Sequence, residues 1–472
     1  MIQPRTLKGF RDFLPQAMLP RERLIEIARR VFRSYGFSPI DTPALEYLEI
    51  LAGKGGEESD KQLYQFTDHG GRQVGMRFDL TVPLARFVAQ HINELGTPFK
   101  RYHMGAVWRG ENTQRGRYRE FMQCDFDTIG TTSIAADVET ALVIHDLFRA
   151  LGITAFTIHV NNRKVLTGLL EKLGLAAQST GVLRALDKLA KIGCERVVVE
   201  MCSLPGVSES QAREVLKLAS CAEGLDPDDE DFNTRVIEQL RSLVAGNEQG
   251  QQGVSRLAEL ARAVQAAGVS PKHLRIDASI ARGLDYYTDT VYETLLNDLP
   301  GIGSVCSGGR YDNLAGLYTS RELPGVGASL GLDRLLAALQ ELGHIPATTT
   351  PAQVFIPYFA ADRFGDYCAL AAQLRGQTYQ DPAAPSRADK HTPSATINVE
   401  VYPEPKKLGQ QLKYADRRGF RVALVVGSDE WQARTCQVKD LKRGTQTTLS
   451  LDAPGELLAA VRGVLETPAE KS

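Results

Sequence analysis

Three arginines stand out for the chemistry they could do: Arg109 at the end of a strand-like run, Arg282 in ARGLDYYT and Arg334 in GLDRL. A guanidinium grips phosphate or carboxylate through a planar fork and keeps its charge at physiological pH, so arginines brought together form an anion site. One surface arginine proves nothing, but these have company. Arg119, Phe121, Gln123, Asp125 and Asp127 recur at period two, so a strand there puts all five on one face. Such a polar face is either solvated or the floor of a site. The chain has no G-x-x-x-x-G-K-[ST], and no G-x-G-x-x-G opening a helix after a strand. Any nucleotide must then be held by side chains. Seven cysteines are scattered without a C-x-x-C pair, which argues against a disulfide framework and a zinc site alike.

The elements that must position these residues follow from periodicity. Leu24, Ile27, Ala28, Val31, Phe32 and Tyr35 fall at helical spacing before Gly36, which predicts an amphipathic helix over 20–35. Residues 99–130 switch to period two on either side of a polar loop, the pattern of an antiparallel hairpin. From 163 to about 270 the chain is Leu/Ala/Arg/Glu-rich at helical spacing, and strand-like patterning resumes at Leu274–Leu295. A turn-rich Gly301–Asp312 follows, then a helix from about Ala328 to Leu342. Sheet, helical block and sheet again describe one domain interrupted by an insertion. HIPATTTPA at 344–352 reads as a linker. Beyond it, Val354–Tyr358, a helix from Asp362, Ile397–Tyr402, a helix over Leu408–Arg418 and Val422–Val426 alternate as in a small α/β domain with a largely parallel sheet. Gln377–Thr396, rich in Pro, Ala and Ser, reads as an exposed excursion.

The 472 residues imply two to four domains. Hydrophobic residues at 43% and charged residues at 24% exclude wholesale disorder and a fibrous repeat. With 55 basic against 57 acidic side chains, a polyanion must be gripped by a local patch. Pro405–Arg443 offers one, with ten Lys/Arg against four Asp/Glu, although a merely solvated surface would look the same. No run approaches the roughly 18 apolar residues of a membrane span, and Met1–Pro15 lacks an apolar signal core. A cytoplasmic location is expected.

RFDLTVPLAR (77–86), YHMGAVWRGENTQRGRYREFMQCDFD (102–127), ARGLDYYT (281–288), CSGGRYD (306–312) and PGVGASLGLDRL (324–335) together resemble the histidyl-tRNA synthetase family, within the class II aminoacyl-tRNA synthetases. The likeness runs from LKGFRDFLP near the start to VYPEPKKLGQQLKYADRRG at 401–419. The hairpin resembles motif 2 and GLDRL motif 3, both class-wide, whereas RGLDYYT and GGRYD are the histidine-specific segments. SYGFSPIDTPALE (34–46) resembles motif 1, whose proline, here Pro43, implies a homodimer. Gly110 and Asp79 depart from residues common in the family, which bears on lineage more than on activity.

The resemblance implies an α/β (α+β) architecture: a class II antiparallel-sheet catalytic domain over 1–343, interrupted by the insertion at about 163–270, and an anticodon-binding α/β domain over 353–472. It implies a histidine–tRNA ligase that uses ATP as substrate with Mg²⁺ to form histidyl-adenylate, then charges tRNA-His. Arg109 would contact the α-phosphate, and Arg282 both that phosphate and the histidine carboxylate. Arg334 would hold the ATP tail, Phe121 would stack on adenine, and Glu111 and Arg117 would assist. Asp79, Thr81 and Gln123 would hold the substrate ammonium. Asp127 and Tyr287, with Tyr286 beside them, would read the imidazole, since its neutral ring has one donor and one acceptor nitrogen. No residue is implied as a resident metal ligand. A catalytically silent, histidine-sensing regulator of synthetase-like fold is the alternative; such proteins typically lose ATP-site arginines that this chain keeps.

Overall fold

The computed structural model describes residues 1–53, 60–280, 286–345, 349–382 and 394–468. The chain divides into two compact units, one of Met1–Arg11, Leu24–Arg149 and Ile153–Leu342, the other of Asp12–Arg23, Ala150–Gly152 and Gly343–Ser472. Helix α1 (Pro15–Ser34) starts five residues before the predicted position and runs through Pro20, while Pro15 sits in the first turn, where its missing N–H has no partner to lose.

The first unit is built on eight strands: β1 (Ser38–Pro39), β2 (Phe99–Trp108), β3 (Glu120–Ile129), β4 (Phe156–Asn162), β5 (Leu274–Ile276), β6 (Thr290–Leu296), β7 (Cys306–Tyr311) and β8 (Gly325–Gly331). Their order is β1-β2-β3-β8-β7-β6-β4-β5. All neighbours are antiparallel except the two outermost pairs. The hairpin expected over 99–130 is β2 and β3, in register from Phe99↔Ile129 to Trp108↔Glu120. Even-numbered β3 residues pack toward α1: Phe126 lies 5.0 Å, ring centre to ring centre, from Phe32 and 5.5 Å from Phe37. Burying that face leaves the odd-numbered one for other work.

Three expectations need correction here. The turn-rich Gly301–Asp312 contains strand β7, and the helix expected from Ala328 begins at Leu332 because β8 runs to Gly331. Glycine suggests a turn, whereas here it admits close neighbours: a Cβ on Gly327 would sit 2.3 Å from Asp127 Oδ1, and one on Gly309 2.8 Å from the Thr290 carbonyl oxygen and 2.9 Å from the Tyr287 ring. The strand-like 274–295 is two strands, β5 and β6, and residues 281–285 between them lie outside the described residues.

Between β4 and β5 the chain is helical, from Arg163–Lys172 (α2) to Glu248–Ala266 (α3), and these two helices pack on each other. Separately, Leu45–Tyr47, Gln65–Thr67 and Gln73–Met76 form a three-stranded antiparallel sheet.

The second unit holds β9 (Val354–Ile356), β10 (Val399–Val401), β11 (Val422–Val425), β12 (Thr435–Asp440) and β13 (Gln446–Ser450), ordered β10-β9-β11-β12-β13. Its sheet is mixed, not largely parallel: β9 pairs in parallel with β10 and β11, while β12 and β13 join antiparallel. A short turn joins β12 to β13, whereas the parallel crossovers need longer connections. Helix α4 (Leu408–Arg418) has the predicted bounds and ends at Gly419, φ +84°. The excursion at 377–396 is not wholly exposed. Thr378–Gln380 pairs with Ser394–Thr396, and Tyr379 is buried in the unit's core; residues 383–393 lie outside the described residues.

Candidate active site

Antiparallel register places side chains of directly opposed residues on the same face. Arg101 opposes Asp127, His103 opposes Asp125, and Gly105 opposes Gln123. On the other side of β3, Ser329 opposes Asp125 and Gly327 opposes Asp127. Gln123, Asp125 and Asp127 are all buried. This overturns the solvated-face alternative for these three residues, while Arg119 and Phe121 on the same face are half-buried.

The floor holds acceptors in want of donors. The amide nitrogen of Gln123 is satisfied, since Nε2 donates to Ser329 Oγ at 2.7 Å. Its Oε1, however, together with Asp125 Oδ1 and Asp127 Oδ2, is buried without a hydrogen-bond donor among the described residues. Asp127 Oδ2 does lie 2.7 Å from Arg101 Nη2, a charge contact without hydrogen-bond alignment, and its Oδ1 accepts from the Tyr311 hydroxyl. A buried acceptor left unpaired costs about 1–3 kcal/mol, so three in a row on one strand mark a place where a donor-rich ligand would bind.

Electrostatics point the same way. Burial, countered by Arg101 and reinforced by Asp127, pushes the Asp125 carboxyl up to about 7. Burial also raises Asp79 and Asp127, against the pull of nearby arginines. His103 is held neutral, down to about 3, by burial and the charges of Arg101 and Arg77. Burial and the surrounding carboxylates raise Tyr287 far above its ordinary value, so its hydroxyl stays a donor. Tyr286 packs edge-on against Tyr287 and Tyr311, at 5.1 and 5.9 Å between ring centres, and its hydroxyl is hydrogen-bonded to Thr81. Asp79 Oδ1 accepts from the backbone of Thr81 and Val82 at 3.1 and 2.9 Å, fixing the start of the Thr81–Leu95 helix beside these tyrosines.

Next to this floor, Arg109, Glu111, Arg117, Phe121, Gln123 and Arg334 line one cavity. The Arg109 guanidinium lies 4.4 Å from the Phe78 ring centre and 5.1 Å from that of Phe121, and its Nε donates to the Phe78 carbonyl at 3.1 Å. Burial works against its charge while Asp79 and Glu111 favour it. Arg334 donates to the Ser304 carbonyl at 2.6 Å, and Arg117 stands 3.8 Å from Glu111. The expected nucleotide residues are thus brought together, and so are Asp79, Thr81, Tyr286 and Tyr287. Arg282 lies outside the described residues.

Arg101, Asp125, Tyr311 and Ser329 join the site beyond the residues expected from the sequence. Asp125 was visible on the polar face, and Tyr311 in GGRYD. Arg101 gave no signal, because its partner is set only by strand register.

In the second unit, Lys407, Lys413, Arg417, Lys442 and Arg443 are exposed. Other cations of the basic segment are already engaged, Arg421 with Asp440 at 2.9 Å and Lys406 with Glu404 at 2.6 Å.

Residues 9–335 match the family model described as histidyl-tRNA synthetase, and residues 369–460 match one described as an anticodon binding domain. A histidine–tRNA ligase of Rhodopirellula baltica is 59% identical over 464 residues, covering 98% of this chain and 99% of that protein. One of Wolinella succinogenes is 44% identical over 97% of this chain and 98% of its own. The crystal structure of histidyl-tRNA synthetase from Nostoc sp. PCC 7120 superposes with a TM-score of 0.83 at 34% identity, covering 98% of this chain and 100% of that one. Likeness of this extent, across both units and over nearly the full length of each relative, means that the chain belongs to the histidyl-tRNA synthetase family.

Proposed function

We propose that the chain is a histidine–tRNA ligase, which activates histidine with ATP and transfers it to the 3′ end of tRNA-His. The observation that carries this reading is the row of unpaired buried acceptors on β3 beside an arginine-lined cavity. Gln123 Oε1, with Asp79 and Thr81 near it, would take the α-ammonium. Asp127 Oδ2 would take an imidazole N–H, and the Tyr287 hydroxyl would donate to the other ring nitrogen. Histidine would supply donors where the described residues leave these acceptors unpaired.

In the first step an oxygen of the α-carboxylate, already ionised at neutral pH, attacks the α-phosphorus, and the bond to pyrophosphate breaks. Charge gathers on the phosphoryl oxygens, so fixed cations provide the main stabilisation. Arg109 and Arg282 would act there, Arg334 on the phosphate tail, and Phe121 on the adenine, with Glu111 and Arg117 closing the cavity. Among the described residues no three His, Cys, Asp or Glu side chains gather to hold a metal ion. Mg²⁺ bound to ATP would neutralise phosphate charge, and Glu111 is the carboxylate lining the same cavity that would hold it. In the second step a terminal adenosine hydroxyl attacks the adenylate carbonyl and AMP leaves.

The catalytic role would belong to residues 1–343, including the insertion at about 163–270, with 344–352 as the linker. Residues 353–472 would read the anticodon, using the exposed cations on and around α4. The exposed Leu45, Tyr47 and Phe66 of the three-stranded sheet suit burial in a homodimer, which sedimentation would test. No described helix is long and apolar enough to cross a membrane, and tRNA charging would place the protein in the cytoplasm. The decisive experiment is ATP–pyrophosphate exchange with each standard amino acid, followed by charging of tRNA-His. Exchange with another amino acid overturns the substrate, and binding of histidine without exchange would favour a silent regulator.

A further inference from the structure

The segment that carries Tyr287 is clamped from two sides. From the β7 side, Thr288 N donates to the Arg310 carbonyl at 2.8 Å, and Thr288 Oγ1 donates to Asp312 Oδ2 at 2.8 Å. From the helical insertion, Arg163 Nη1 donates to the Tyr287 carbonyl at 2.8 Å, and Arg163 N to the Asp289 carbonyl at 2.9 Å. The carboxylate of Asp289 is buried and belongs almost wholly to the insertion. Lys164 Nζ lies 3.0 Å from Oδ2, Arg256 Nε lies 3.2 Å from Oδ1, and Asn162 Nδ2 also donates to Oδ1.

Arg256 reaches further. Its Nη2 lies 3.2 Å from Asp137 Oδ2, on the fully buried carboxylate that also holds Arg310. One guanidinium on α3 therefore joins the anchor of the Tyr287 strand to the anchor of the GGRYD strand. Arg310 precedes Tyr311, whose hydroxyl donates to Asp127. A planar fork can bridge two carboxylates in this way, which a point charge cannot do equally well. The charges are largely withdrawn from water, so their pull is weakly screened.

We propose that Arg256 is a positioning residue for histidine binding: through Asp289 and Asp137 it fixes Tyr287 and Tyr311 against the β3 floor, so the helical insertion sets the affinity for histidine. This rests on the reading that Tyr287 touches the imidazole. Arg256 touches no substrate, and its loss leaves each carboxylate another cation, Lys164 for Asp289 and Arg310 for Asp137. Arg256→Ala should therefore fold.

The test is pyrophosphate exchange with the full chain, titrating histidine and ATP separately, with thermal melts alongside. Arg256→Ala is expected to raise the KM for histidine about 2- to 30-fold, with the KM for ATP within about twofold and melting little changed. Asp289→Asn, which keeps the shape and removes the charge, should do the same and carries the test if Arg256→Ala does not fold. Combining Arg256→Ala with Tyr287→Phe should give less than the product of the separate effects, because both act on one contact. An unchanged KM for histidine in both Arg256→Ala and Asp289→Asn, or a parallel rise for histidine and ATP, overturns the proposal. If Tyr287→Phe itself leaves the KM for histidine unchanged, the pocket assignment fails and the proposal with it. A rise in Tyr287→Phe alone removes only the positioning role.

Discussion

Asp125→Asn should stabilise the protein, and more so as pH rises. The native carboxyl sits near 7, against an ordinary 3.8, with burial as the main cause. Among the described residues the groups around it are Arg101 and His103 on β2, Asp127 on β3, Ser329 on β8 and Asp79 before the Thr81–Leu95 helix, with Arg77, Arg109 and Tyr287 also acting on its charge. His103 is already neutral well below this range. Between about pH 4 and 7 the unfolded chain has released the proton and the native one still holds it, so the native state binds more protons and stability falls as pH rises. Above 7 both are ionised and the penalty stays constant. A rise from 3.8 to about 7 corresponds to about 4 kcal/mol at most, an order-of-magnitude ceiling that an inward-moving water would lower. An asparagine keeps the volume and one acceptor and never pays this charge penalty. Thermal melts of both proteins from pH 5 to 8.5 should show the variant gaining several degrees on the parent as pH rises, then levelling off above neutrality. A difference in melting that does not change with pH would refute the claim that Asp125 is a buried, poorly compensated carboxyl.

Other outcomes follow from the same geometry. Asp127→Asn and Tyr287→Phe should each weaken histidine by about tenfold or more, the cost of one unsatisfied buried group, and leave a non-hydrolysable ATP analogue almost unaffected by isothermal titration; equal losses for both ligands would mean that other residues line the histidine pocket. Gly309→Ala would force a Cβ to within 2.9 Å of the Tyr287 ring and should raise the KM for histidine in exchange assays without a matching change for ATP. Arg109→Ala should slow exchange about 10²–10³-fold while its melt stays close to that of the parent. Lys413→Glu with Arg417→Glu should weaken tRNA binding and flatten its dependence on salt; an unchanged salt slope would remove α4 from the tRNA surface.

Much of this protein was legible in its sequence wherever structure depends on neighbours a few residues away. The 99–130 hairpin and the Leu408–Arg418 helix follow from periodicity, because period two or 3.6 already decides which side chains can be buried together. Arg109, Phe121 and Arg334, which line one cavity, stand in the segments that carry the family resemblance. What the local pattern misread was glycine. Gly308 and Gly309 suggest a turn, yet they lie inside a paired strand, where a Cβ on Gly309 would meet the Thr290 carbonyl and the Tyr287 ring. Register was equally invisible: nothing in the sequence says that Arg101 faces Asp127, or that Arg256, more than a hundred positions away from Asp137, shares that carboxylate with Arg310. Such pairings are fixed by hydrogen-bonded strand alignment and helix packing over long chain separations, and their energies come from burial that exists only once the whole sheet has been assembled.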